Sequence, residues 1–135
     1  MYYGALEAGG TKMVCAIGDA DKNIIDRISI PTGTPDQSLP AMIDYFKKYD
    51  ISALGIGTFG PADINPNSPT YGSIMRSPKK DWEGFSLYKA FTDALGCLVV
   101  VDTDVNAAAW GEYLYGALKG LNSGMYLTVG TGIGG

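Results

Sequence analysis

An α/β domain built on a mixed sheet is predicted by three observations. Three short apolar segments follow one another before any helical periodicity begins. A β-α-β alternation then takes over, and the run Leu98-Val99-Val100-Val101 reads as a buried strand leading directly into an acidic helix start.

Each element has its own signal. Residues 2–8 alternate loosely and break at Gly9-Gly10. Met13-Val14-Cys15-Ala16-Ile17 resumes as a second strand and residues 24–30 as a third, with polar turn material at 19–23, so three consecutive antiparallel strands are expected. Pro35-Asp36 opens a helix in which Leu39, Met42, Ile43 and Phe46 recur at helical spacing, ending near Tyr49-Asp50 before an apolar strand at 53–56. Residues 57–77 are rich in Gly, Pro, Asn and Ser and read as a long loop with one short strand at Tyr71-Gly72-Ser73-Ile74-Met75. A helix at 87–95, a strand at 98–101, a helix at 104–118 and a strand at 125–129 complete the order βββαβαβα followed by β.

Composition narrows the function. With 135 residues and 46% hydrophobic content the chain can bury one core. A formal charge of -4 without a basic cluster argues against a nucleic-acid partner, and Lys47-Lys48 and Lys79-Lys80 read as isolated solvated pairs. Cys15 and Cys97 fall in apolar runs and read as two buried thiols of a reducing, cytoplasmic setting. No basic-then-apolar leader opens the chain, and no apolar stretch approaches the roughly 20 residues of a membrane span, so neither secretion nor a membrane partner is expected. Histidine does not occur, which excludes a histidine base or a histidine-ligated metal within this chain and leaves Asp or Glu as general base.

Two glycine-rich turns, each fed by an apolar run, lie at opposite ends: Glu7-Ala8-Gly9-Gly10-Thr11-Lys12 and Val129-Gly130-Thr131-Gly132-Ile133-Gly134-Gly135. Glycine lets backbone approach an anion, while exposed amides and the Thr11 and Thr131 hydroxyls can donate to phosphate oxygens, so the turns read as two halves of a phosphate clamp. Gly130, Gly132 and Gly135 also match a dinucleotide-binding G-x-G-x-x-G, but neither the helix nor the later acid that this fingerprint needs is visible. The order Gly10-Thr11-Lys12 excludes a P-loop. Glu7 either caps the first turn or holds a Mg²⁺ ion or its water shell. Asp102, Thr103, Asp104 and Asn106 stand at the carboxyl end of a strand, where open α/β sheets place ligands; Asp104 is either a helix N-cap or the catalytic carboxylate. Gly57-Thr58-Phe59-Gly60-Pro61 is a binding segment or turn chemistry alone, and Trp110, Tyr113 and Leu114 read as core or interface residues. Clamp plus carboxylate indicates phosphoryl transfer to a hydroxyl.

These motifs, in this order, closely resemble the ROK family of sugar kinases and repressors, and within it the bacterial fructokinase branch. The resemblance runs through Glu7 to Lys12, Gly55 to Pro61, Ser77-Pro78-Lys79 with Trp82, Asp102 to Glu112 and Val129 to Gly135. It implies the actin/hexokinase-like (ribonuclease H-like) βββαβαβ fold, with residues 1–118 as the N-terminal domain and 119–135 as the start of a second, nucleotide-side domain. It further implies an ATP- and Mg²⁺-dependent hexose kinase acting on the 6-hydroxyl of fructose. Asp104 would be the base, Gly60, Ser77 and Thr103 would contact sugar, and Gly9, Gly10, Thr11, Lys12, Thr131 and Gly132 would contact phosphate. Two positions depart from the family pattern: Glu7 stands where Asp is usual, and Thr103 where Asn is frequent. Family members run to about twice this length, so the segment is expected to be an N-terminal half, inactive alone. A structural Zn²⁺ site is expected only in the other half, and a homodimer at full length. The alternatives are a sugar-sensing regulator of the same family, although no basic recognition helix precedes the first strand, and a non-catalytic sugar-binding module.

Overall fold

In a computed structural model describing residues 1–130 and 132–135, three strands come first: β1 (Tyr2–Ala8), β2 (Lys12–Asp19) and β3 (Ile24–Pro31). Helix α1 (Pro35–Phe46) leads to β4 (Ile51–Thr58), and α2 (Leu87–Leu95) leads to β5 (Leu98–Thr103). Helix α3 (Asp104–Tyr115) follows directly, and two short strands, β6 (Thr128–Val129) and β7 (Ile133–Gly134), form a separate hairpin. The five-stranded sheet has the order β3-β2-β1-β4-β5, with β1, β2 and β3 antiparallel and β1, β4 and β5 parallel. The expected meander followed by β-α-β is therefore the observed fold.

Apolar alternation decides which sheet face is covered. Gly4, Leu6 and Ala8 of β1 point inward with Met13, Cys15 and Ile17 of β2, and α1 and α2 close over them with Met42, Phe46, Leu87 and Phe91. Phe46 and Phe91 meet edge to face at 6.0 Å, a geometry that adds roughly 0.5–1.5 kcal/mol to the area buried. Helix α1 starts firmly because the Gln37 side chain accepts the Thr34 amide at 3.0 Å. Gly96 ends α2 in the left-handed conformation, φ 66°, which glycine adopts without strain.

Several boundaries differ from expectation, each for a local reason. Helix α1 ends at Phe46 rather than near Tyr49, because Lys48 and Tyr49 turn back onto the carbonyls of Tyr45 and Phe46. Helix α3 ends at Tyr115, where the Glu112 carboxylate accepts the Ala117 amide at 2.7 Å and closes the last turn. The short strand expected at 71–75 is reduced to two isolated bridges, Ala62 with Ile74 and Ser73 with Ser86. The strand expected over 125–129 shrinks to Thr128–Val129, the two residues that find partners in Ile133 and Gly134. Strand β5 is buried on one face only: Val99 and Val101 are inside, while Leu98 and Val100 are exposed. Trp110 and Tyr113 are not core residues here; their rings stack on each other at 5.4 Å on the exposed surface of α3, which buries none of its residues. Cys15 is fully buried and burial pushes its thiol up to about 12, so it stays protonated and inert; Cys97 is only half-buried. No helix among the described residues is long and apolar enough to cross a membrane.

Candidate active site

Because β1, β4 and β5 are parallel, their carboxyl ends share one edge of the sheet, and everything that leaves that edge converges. Register makes this specific: Glu7, Gly57 and Asp102 lie side by side across the three strands, and one residue further on so do Ala8, Thr58 and Thr103. The first glycine turn leaves β1, the 59–79 loop leaves β4, and α3 leaves β5. Ligands of open α/β sheets bind in such a crevice. Gly57 sets how close α3 can come, since a Cβ there would lie 3.0 Å from the Ala107 Cβ and 3.5 Å from the Asp104 Cα.

A cavity of about 1160 Å³ opens at this edge. Gly10, Thr11 and Lys12 form one wall, and Gly130, Gly132 and Gly134 of the second turn form another, with Gly60, Thr103 and Asp104 between them. The two glycine turns, more than a hundred residues apart in sequence, thus face one space. Thr131 lies outside the described residues.

Asp104 is not the helix N-cap. Thr103 takes that place, its hydroxyl accepting the Asn106 amide at 3.2 Å, and Asp104 is the first helical residue, with Oδ1 accepting the Val105 amide at 2.9 Å. Capping is therefore done by its neighbour, and the Asp104 carboxylate lines the cavity. Asp102 is occupied structurally: its Oδ1 accepts both the Thr103 amide and the Asn106 side-chain amide at 2.7 Å.

The first turn is held from outside. Gly9 donates its amide to the Lys12 carbonyl at 3.0 Å, while Thr32 donates its hydroxyl to the Gly9 carbonyl at 2.8 Å and its amide to the Thr11 carbonyl at 3.0 Å. A Cβ on Gly9 would meet the Lys12 carbonyl oxygen at 2.6 Å, so Gly9 serves the turn's own closure. Gly10 and Gly132 are different: a Cβ on Gly10 meets nothing closer than the Lys79 Cε at 3.7 Å, and one on Gly132 meets nothing within 4 Å. Gly10 has no positive φ, so the space it leaves is open to a ligand rather than demanded by the backbone.

Three residues take positions that the sequence leaves unspecified. Ser77 is buried, 3% exposed, and its hydroxyl accepts the Lys79 amide at 3.2 Å; it is not among the residues lining the cavity. Glu7 opens onto a neighbouring groove of about 710 Å³ along the uncovered sheet face, which it shares with Asp102 and Asp104. Lys79 departs from the solvated-pair reading: it lines the main cavity, whereas Lys80 pairs with Glu83 on the surface at 3.2 Å. Phe59 and Lys79 lie within segments the sequence singles out, the 57–61 turn and Ser77-Pro78-Lys79, but nothing in the residue pattern says which side chains of those segments face the cavity. Among the described residues no three acidic, Cys or His groups are gathered as a metal cage.

A five-stranded mixed sheet of this order, flanked by helices and carrying its ligand crevice at the parallel edge, is the actin/hexokinase-like fold. The ROK family profile matches residues 3–135, and the chain belongs to the ROK family. A fructokinase of Lactococcus lactis subsp. cremoris is 46% identical over all of this chain and 46% of its own length. One of Pediococcus pentosaceus is 44% identical over 99% of this chain and 46% of its own. Among solved structures, a ROK family glucokinase from Streptomyces griseus, in complex with glucose and AMPPNP, superimposes with a TM-score of 0.83 at 29% identity, covering 99% of this chain and 43% of that one. The chain therefore spans about half the length of the curated relatives it matches.

Proposed function

We propose that this chain is the N-terminal part of an ATP-dependent hexose kinase that phosphorylates fructose. The observation carrying this reading is the convergence of both glycine turns and the Asp104 carboxylate on one cavity. Residues 1–118 form the sugar-side lobe and 119–135 begin the nucleotide-side lobe. In the assembled cleft the Asp104 carboxylate takes the proton of the attacking sugar hydroxyl. Thr103 and Gly60 face the sugar, and the amides and hydroxyl around Gly10 and Thr11 receive phosphate oxygens, together with Thr131 and Gly132.

Phosphoryl transfer of this kind uses Mg²⁺, which neutralises charge on the nucleotide phosphates. Glu7 fits the one-carboxylate, water-rich binding that this ion favours over an all-protein cage. The resemblance to kinases at 44–46% identity favours catalysis over the regulator reading. A cytoplasmic homodimer is the assembly proposed for the complete protein, with zinc confined to the half beyond this chain. Residues 1–135 alone supply the base and the two glycine turns without a closing lobe, so they are expected to be inactive by themselves.

Steady-state kinetics of the full-length protein with ATP and a panel of hexoses test the substrate. The highest kcat/KM is expected for fructose; a clear preference for glucose or mannose contradicts the assignment. The glycines supply a second expectation. Gly10→Ala and Gly132→Ala should keep the wild-type melting temperature and raise KM for ATP well above any change in KM for sugar. Gly9→Ala should lower the melting temperature, because its Cβ meets the Lys12 carbonyl. Unstable Gly10 and Gly132 variants with normal ATP affinity contradict the clamp.

A further inference from the structure

We propose that Lys79 is a catalytic residue whose ammonium contacts the oxygens of the phosphoryl group as it is transferred. This assignment rests on the kinase reading above and goes beyond it, because Lys79 belongs to neither glycine turn.

Its position is built rather than incidental. Lys79 precedes a single 3₁₀ turn (Lys80–Trp82), its amide donating to the Ser77 hydroxyl at 3.2 Å and its carbonyl accepting the Trp82 amide at 3.0 Å. Trp82 is 1% exposed and donates its indole N–H to the Gly33 carbonyl at 2.9 Å. Gly33 follows Thr32, which holds the Gly9 and Thr11 carbonyls. A short chain of hydrogen bonds thus fixes the base of Lys79 relative to the first glycine turn. The side chain then runs against that turn, its Cε 3.7 Å from where a Cβ on Gly10 would be.

Charge points the same way. Lys80 is paired with Glu83 and Lys89 with Asp93, whereas Lys79 makes no ion pair among the described residues. It shares the cavity with Lys12 and with the Asp104 carboxylate. A neutral hexose offers an ammonium only uncharged hydroxyl acceptors, whereas a phosphoryl group in transit offers oxygens that carry negative charge. In the reaction the sugar hydroxyl oxygen bonds to the γ-phosphorus and the bridging P–O bond to the β-phosphate breaks, its electron pair leaving with ADP. The hydroxyl proton passes to Asp104. Lys79 keeps its protons throughout and gives only hydrogen bonds to the moving phosphoryl oxygens.

Full-length Lys79→Met, Lys79→Arg and Lys80→Met, assayed with ATP and fructose alongside their melting temperatures, test this. Lys79→Met should lower kcat by about 10²-fold, the usual effect of losing one transition-state donor, with melting temperature unchanged and KM for fructose within about twofold. Lys79→Arg should recover most of the loss, and Lys80→Met should match wild type. A Lys79→Met kcat within about threefold of an active wild type overturns the assignment and leaves the kinase reading standing. So does a rise confined to KM for fructose, which makes Lys79 a sugar contact. A wild type that phosphorylates no hexose overturns the kinase reading and this assignment with it.

Discussion

Asp104→Asn in the full-length protein is expected to lower kcat by about 10²- to 10⁴-fold, the usual contribution of a positioned general base. Folding and sugar affinity should stay close to wild type for a local reason. Thr103, not Asp104, caps α3, and an Asn side-chain oxygen can still accept the Val105 amide as Asp104 Oδ1 does at 2.9 Å. What the amide loses is the ability to take a proton. Measuring kcat, KM for fructose and melting temperature on one preparation separates the roles, and an unchanged kcat returns Asp104 to a structural part.

Trp82→Ala is expected to cost about 3–5 kcal/mol of stability, the range for removing a buried large aromatic. Trp82 is 1% exposed, meets Phe59 edge to face at 6.1 Å and Phe85 at 5.4 Å, and satisfies the Gly33 carbonyl. Trp82→Phe keeps most of the ring volume but leaves that carbonyl without its donor, an expected loss of about 1–3 kcal/mol. Urea unfolding of both variants checks the order. Because Gly33 adjoins the residue that holds the first glycine turn, Trp82→Phe should also weaken ATP binding more than fructose binding. Equal stability of Trp82→Phe and wild type contradicts the linking role.

The strand order and the site had different legibility in the sequence. Period-2 and period-3.6 patterns mark the five sheet strands and helices α1 and α2, which bury a face against neighbours within this chain, while α3 is marked by the polar strand end and the run of small residues at its start. The strand expected over 125–129 is longer than the observed one because Met125, Tyr126 and Leu127 are apolar, yet no strand lies beside them among the described residues. For Trp110 and Tyr113 the core half of the core-or-interface reading fails: hydrophobicity signals a surface to be covered, and α3 has no cover among the described residues. The glycine turns and Asp104 stand out in the sequence because clustered glycines and carboxylates at a strand end are chemically unusual, and the fold brings them to one cavity. The sequence does not say which way the side chains of the 77–79 segment turn: the Ser77 hydroxyl accepts the Lys79 backbone amide, while Lys79 lines the cavity. Only the fold decides which.

The most direct measurement is ³¹P NMR of the full-length protein with Mg²⁺, ATP and fructose. Loss of the γ-phosphate signal should be matched by growth of ADP and of a sugar 6-phosphate resonance, and Asp104→Asn should slow both together. ATP turnover without a sugar phosphate, or no turnover in wild type, contradicts a cleft built to pass the γ-phosphoryl group to a hexose hydroxyl.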